Sequence, residues 1–201
     1  MRADDLSPLY HLTGPCNTNL NGLEMAQNII AGPAWALAIL KHKPAMVIEI
    51  GTSKGGLSSL LSACVAQYGG EFNTFDVHKD GDYNQYPLHG NAQFHWMDCF
   101  EPEGFEFITS LIEEPGKCFL LCDGGNKPKE FNIFSNFLKV GDVISAHDWI
   151  DETVPGASPL IWGWLETHSR QLEGSCKEHS LEKFMPEWFD WSAWFVRIKT
   201  K

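Results

Sequence analysis

Two apolar runs in this chain end in side chains able to move a proton or hold a cation. Phe119-Leu-Leu-Cys122 runs into Asp123, with Asn126 and Lys127 close behind, and Val143-Ile-Ser-Ala146 runs into His147, Asp148 and Trp149. Two carboxylates at one mouth can hold a divalent cation such as magnesium through oxygen. That cation would clamp an acceptor hydroxyl and lower its pKa, so that the oxygen attacks as an alkoxide; the Asn126 amide adds a further ligand. The same residues also allow a route without metal. His147, a natural base near neutral pH, would take the hydroxyl proton while Asp123 or Asp148 orients its imidazole. Lys127 would then serve as a base or as an electrostatic partner.

A third apolar run, Met46-Val-Ile-Glu-Ile50, opens into Gly51-Thr52-Ser53-Lys54-Gly55-Gly56. Glycines directly after a buried strand let the backbone approach a ligand that a side chain would block. Glu49, two residues before the first glycine, suits a cationic or hydroxyl-rich ligand better than a pyrophosphate. S-adenosylmethionine carries an α-ammonium, a sulfonium and a ribose diol, and the loop reads as a site for it. The competing nicotinamide dinucleotide loop is spaced Gly-x-Gly-x-x-Gly, whereas here Thr52 and Ser53 fill the inner loop. A glycine-rich turn without any ligand is a third reading. Asp76 ends the run that begins at Phe72, and its carboxylate can accept both hydroxyls of a ribose. Asp98 could bond the exocyclic amine of an adenine, or cap the helix expected after it.

All of these residues fall where strands should end. Apolar runs alternate with helix-like patterns, which predicts an α/β fold with a mainly parallel sheet. Strands are expected at 46–50, 72–76, 93–97, 118–122 and 142–146, with 181–185 and 192–199 as an antiparallel carboxyl-terminal edge. Helices are expected at 23–41, 56–67, 103–114, 129–138 and 158–172, with Pro44 stopping the first. The architecture predicted is a Rossmann-like, doubly wound sheet of seven strands with helices on both faces. In such sheets ligands bind beyond the carboxyl ends of the strands, where the strand order switches. Val77 to Asn91 is rich in Gly, Asp, Asn, Tyr and Pro, and reads as a functional loop where a helix would be usual.

With 201 residues the chain fits a single domain over 1–201, a helical segment at 1–43 leading into the core at 44–201. A net charge of −11 argues against nucleic acid or an anionic membrane as partner. The amino terminus lacks a signal-peptide layout, and the apolar stretch Ala34–Leu40 is too short to span a bilayer. The six cysteines include no Cys-x-x-Cys pair. Cys118 and Cys122 share one face of an expected strand as core thiols, and a reducing cytoplasmic setting fits best. Six of the eight tryptophans lie after residue 148 (Trp149, Trp162, Trp164, Trp188, Trp191 and Trp194). Large aromatics of this kind build cores or the contact of a homodimer, and Trp149 could also wall an acceptor pocket.

Taken together, these segments resemble class I S-adenosylmethionine-dependent methyltransferases. The nearer likeness is to the cephalosporin hydroxylase-like branch, related to catechol O-methyltransferase and macrolide sugar O-methyltransferases. It is carried by Val47-Ile-Glu-Ile-Gly-Thr-Ser-Lys-Gly-Gly-Leu-Ser-Ser59, Leu121-Cys-Asp-Gly-Gly-Asn-Lys127 and Gly141-Asp-Val-Ile-Ser-Ala-His-Asp-Trp149, with Gly22 and Gln27 ahead of them, and it covers residues 20 to 150. The resemblance implies an O-methyltransferase acting on a small hydroxylated acceptor: a sugar, a polyketide or a phenol. It implies that Glu49, Gly51 and Gly55 hold the methionine part of the cofactor, Asp76 the ribose and Asp98 the adenine side. Asp123 and Asp148 become metal ligands, with His147 in the same cluster. The chain departs from the catechol type at His147-Asp148, where that type has Asp-Asn. It departs again at Lys127, four residues after Asp123 rather than three. Transfer from a sulfonium needs alignment and the loss of one proton, so the lack of a Ser-His-Asp or nucleophilic Cys pattern fits.

Overall fold

A computed structural model describes residues 19–20, 23–25, 27, 30–78, 87–149, 169–190 and 192–201. A short ribbon of β1 (Asn19–Leu20) and β2 (Leu23–Glu24) precedes α1 (Ala31–His42). Then follow β3 (Met46–Ile50), α2 (Gly56–Ala66), β4 (Glu71–Asp76), β5 (Asn91–Trp96) and α3 (Pro102–Glu113). Next come β6 (Cys118–Cys122), α4 (Lys127–Phe134) and β7 (Val143–Ala146), then α5 (Ser169–Glu178), β8 (Leu181–Lys183), α6 (Pro186–Phe189) and β9 (Phe195–Lys199).

Seven strands pair in the order β5-β4-β3-β6-β7-β9-β8. The first five are parallel, and β9 runs antiparallel to both β7 and β8. β3 and β6 are buried at every residue, as strands covered on both faces must be. Alternation along the strands sends side chains to two separate cores. Val47, Phe72, Phe119, Leu121 and Val143 pack with Trp35 and Ile39 of α1, Leu61 of α2 and Phe189 of α6. Ile48, Leu120 and Ile144 pack with Ile108 of α3, Phe131 of α4 and Leu172 of α5. Cys118 and Cys122 share this second face, as their spacing requires. The doubly wound architecture is therefore as the patterning predicts.

The differences lie at the ends of elements. The helix expected at 23–41 begins only at Ala31, because Leu23–Glu24 pair with Asn19–Leu20. Asn21-Gly22 is a two-residue hairpin signature, which the apolar pattern beyond it obscures. α1 stops where expected: Lys43 turns left-handed at φ 46° and donates its N–H to Ile39 O, ahead of Pro44. α4 starts at Lys127, two residues early, because the Asn126 side chain caps it by accepting from Lys129 N–H at 3.2 Å. The expected helix at 158–172 and the loop at 77–91 fall largely outside the described residues, as do Gly22, Trp162, Trp164 and Trp191. Trp149 packs in the second core, 5.6 Å from Phe195, which favours its core reading over a pocket wall. Among the described residues no helix is long and apolar enough to cross a membrane.

The order of the sheet fixes the place of a site. The chain leaves β3 outward to β4 and β5, then returns to β6 on the other side of β3. The crevice at that reversal lies between the carboxyl ends of β3 and β6.

Candidate active site

At the crevice the two strand ends touch. Gly51 follows β3 with φ +99°, and a Cβ there would lie 2.2 Å from the carbonyl oxygen of Asp123, which follows β6. Only glycine permits that approach. The loop beyond is tied down on both sides. Ser53 N–H donates to Asp76 Oδ2 at 2.9 Å, and His78 N–H to Asp76 Oδ1 at 2.9 Å. Gly55, left-handed at φ 74°, leads into α2.

Glu49 lies beneath the loop, buried. Its carboxyl accepts from Ser58 O–H and from Thr74 O–H, the latter at 2.7 Å. Thr74, with one hydroxyl hydrogen, must then accept from Thr52 across 2.6 Å. Burial pushes the Glu49 carboxyl up to about 8, against the hydrogen bonds from Ser58 and Thr74. Glu49 braces the loop through Thr74 and Thr52.

Above the strand ends lies a cavity of about 750 Å³. Of the residues expected to hold a cofactor, Gly51, Ser53, Asp76, Asp98 and Asp123 line it, whereas Glu49, Thr52, Gly55 and Gly56 do not. Asp98 is not the cap of α3, whose N-cap is Glu101; its carboxylate accepts from Phe100 N–H at 2.8 Å in a tight turn. Lys54 and Glu130 also line the wall, and the strand-end argument missed both because neither sits at a strand end. Glu130 accepts from Gly124 N–H and Asn126 N–H, and burial pushes its carboxyl up to about 7. Cys99 is on the wall too, but burial pushes its thiol up to about 12. It is no nucleophile near neutral pH.

Asp123 joins the cavity to a buried cluster. His147, placed by its N–H bond to Cys122 O at 3.0 Å, sets Nδ1 2.8 Å from Asp123 Oδ1. Lys127 Nζ lies 2.9 Å from Asp148 Oδ2, 3.0 Å from Gly124 O and 3.8 Å from Asp123 Oδ1. Asp148 reaches it from a left-handed backbone at φ 56°, a conformation Asp tolerates better than most residues. Burial alone would lower the pKa of Lys127, yet Asp123 and Asp148 together raise it. That favours the electrostatic role for Lys127 over that of a base. For Asp148, burial works upward but His147 and Lys127 hold the carboxyl below its usual value.

The metal reading fits this geometry poorly. The positive charge between Asp123 and Asp148 is already the Lys127 ammonium, and the two Asp123 oxygens accept from His147 and from Gln27 Nε2. Among the described residues no group of three or more His, Cys, Asp or Glu side chains is arranged to hold a metal ion. The structure brings Asp123, His147 and Asp148 together, as the sequence leads one to expect, but of the three only Asp123 lines the cavity, and spacing does not reveal that a lysine reaches between them.

No family model and no curated protein sequence matches the chain. Solved structures do. The apo structure of CmcI aligns with a TM-score of 0.63 at 16% identity, over 92% of this chain and 76% of CmcI. CmcI with Mg and SAM aligns at 0.58, also at 16% identity, over 90% of this chain and 76% of that one. The fold is that of the class I methyltransferases. An O-methyltransferase from Bacillus cereus, in complex with SAH, matches this methyltransferase fold with a TM-score of 0.52 at 12% identity, over 99% of this chain and 90% of that one.

The acid–base pair carries its own pH signature. Burial lowers the pKa of His147, but the charge and hydrogen bond of Asp123, with Asp148, outweigh it and raise the value above 6.5. The stability that the pair contributes is full below 6.5 and is lost as the pH climbs through the raised native value. Any activity that needs neutral imidazole must rise over that same interval. A pH–rate profile beside melting curves should show rate increasing while stability falls; a rate that declines through that window would remove His147 as the base.

Proposed function

We propose that the chain is an S-adenosylmethionine-dependent O-methyltransferase whose acceptor is the hydroxyl of a small molecule: a sugar, a polyketide or a phenol. The observation that carries this reading is the Asp123–His147 pair at 2.8 Å, set beside a cavity at the switch point of a methyltransferase fold. The cavity's volume lies within the usual range for small-molecule sites. Its wall suits the cofactor: the close approach at Gly51 for the backbone contact, the Asp76 carboxylate for the ribose diol, Asp98 for the adenine side and Lys54 for the amino-acid carboxylate. When bound, S-adenosylmethionine supplies a methyl group on a sulfonium that leaves as a neutral thioether once an oxygen has attacked the carbon.

The chain's own residues handle the proton. Asp123 accepts from Nδ1 of His147, which fixes the neutral tautomer with Nε2 as the basic nitrogen. Nε2 takes the proton from the acceptor hydroxyl, and Asp123 stabilises the imidazolium that forms. Lys127 keeps its own proton and tempers the two carboxylates beside it. No metal is required for these steps.

Isothermal titration with S-adenosylmethionine, S-adenosylhomocysteine and NAD tests the donor. Binding of both methionine derivatives and not of NAD is expected, and the reverse would end the proposal. Turnover is read as S-adenosylhomocysteine released from a panel of glycosides and phenols. Release should be unchanged by EDTA. Activity lost to EDTA and restored by magnesium would instead make Asp123 and Asp148 ligands, with Lys127 displaced. Binding without release from any acceptor would leave a cofactor-binding protein of this fold.

A further inference from the structure

Gln27 precedes every element of the large sheet, yet it reaches the acid–base pair. Its Nε2 donates to Asp123 Oδ2 at 2.9 Å, and its Oε1 accepts from Trp194 Nε1 at 2.8 Å. Gln27 is 3% exposed and Trp194 fully buried. The Trp194 ring also stacks on His147, with centroids 4.6 Å apart and planes at 27°. The four side chains close a ring: Gln27 to Asp123, Asp123 to His147, His147 against Trp194, and Trp194 back to Gln27.

The chemistry of the ring is directional. An indole N–H can only donate, so Trp194 must face the amide oxygen of Gln27. That settles the sense of an amide whose two ends look alike, and it turns the NH₂ toward Asp123. A carboxylate rotates about its terminal bond with little preference, and Lys127 Nζ stands 3.8 Å from Oδ1 as a rival to His147. With Oδ2 anchored by Gln27, Oδ1 stays aimed at Nδ1.

We propose that Gln27 is a positioning residue for proton transfer, its amide locked by Trp194 so that Asp123 presents Oδ1 to Nδ1 of His147. The catalytic meaning rests on the function proposed above, but the orientation itself does not.

The experiment reads that orientation directly. In the full-length protein labelled with ¹⁵N-histidine, the Nδ1 proton of His147, held against a carboxylate, should give a downfield resonance that disappears in His147→Gln. Gln27→Met keeps the shape of the side chain without the donor, and should lose this resonance or move it upfield. Trp194→Phe keeps a ring on His147 but frees the amide to turn, and should shift the resonance the same way. Calorimetry with S-adenosylhomocysteine reports on the fold, since neither Gln27 nor Trp194 lines the cavity and a folded variant should still bind. A wild-type resonance preserved in both variants overturns the inference, whatever the calorimetry gives. If wild type fails to bind S-adenosylhomocysteine but both variants lose the resonance, the proposed function fails while the role of Gln27 in orienting Asp123 stands. Should Gln27→Met not fold, Trp194→Phe decides alone.

Discussion

Replacing Asp123 by asparagine is expected to lower turnover by about a thousandfold to ten-thousandfold, the scale of losing a correctly oriented general base. Asparagine keeps the shape but offers one oxygen and one NH₂ where two oxygens stood. Gln27 presents a donor to the Oδ2 side, and Trp194 prevents its amide from turning. The new oxygen must therefore face Gln27, which leaves the new NH₂ facing Nδ1 of His147. Nδ1 must then accept, and the ring proton moves to Nε2, where it blocks proton uptake. If the oxygen faces His147 instead, two donors collide at Gln27. Neither arrangement gives a competent base, while the cofactor wall keeps its other contacts. Single-turnover release of S-adenosylhomocysteine, with calorimetry as the binding control, measures the loss. A rate within tenfold of wild type would deny Asp123 its role.

The second large effect is on the fold. Gly51→Ala places a methyl 2.2 Å from the Asp123 carbonyl oxygen and 2.8 Å from Gly124 N, at a φ of +99° that L-residues avoid. Those contacts are backbone, so no side chain can swing away. The ends of β3 and β6 must part, straining the Gly51 N–H bond to Phe75 O and the Asp123 N–H bond to Ile50 O, each 2.8 Å. A loss of about 3–5 kcal/mol is expected, at the upper end for single substitutions. The melting temperature should fall by roughly 6–20 °C for a domain of this size. Gly125→Ala is the control: nothing lies within 4 Å of its added methyl. A Gly51→Ala protein melting within about 3 °C of wild type would show that the two strand ends can separate without cost.

Much of this was legible in the sequence because parallel strands announce themselves. Val47–Ile50 is apolar but for Glu49 and Phe119–Cys122 is apolar throughout, and whatever follows each run is forced to the sheet's carboxyl edge. That logic found Asp76, Asp98, Asp123 and His147, all of which stand at the cavity or beside it. It fails where a side chain travels sideways. Lys127 lies one turn along from Asp123, yet its ammonium also meets Asp148, twenty-one residues later in the chain. Glu49 shows the converse: its position in the motif is right for a ligand, but the carboxyl points down into Ser58 and Thr74. Gln27 and Trp194 are 167 residues apart, and no local pattern joins them.

That separation has a consequence for how the site can change. Closing a loop of such length by one hydrogen bond would carry a heavy entropic cost, but here the two ends are already delivered by the sheet and its helices. The bond between Gln27 and Trp194 is therefore not what brings its partners together, and its bearing is on direction. Trp194 is itself a member of the core, so the aim of the ring and the packing of the sheet meet in one residue. A different acceptor that needs a different aim is reached with less risk to the fold at Gln27 than at Trp194.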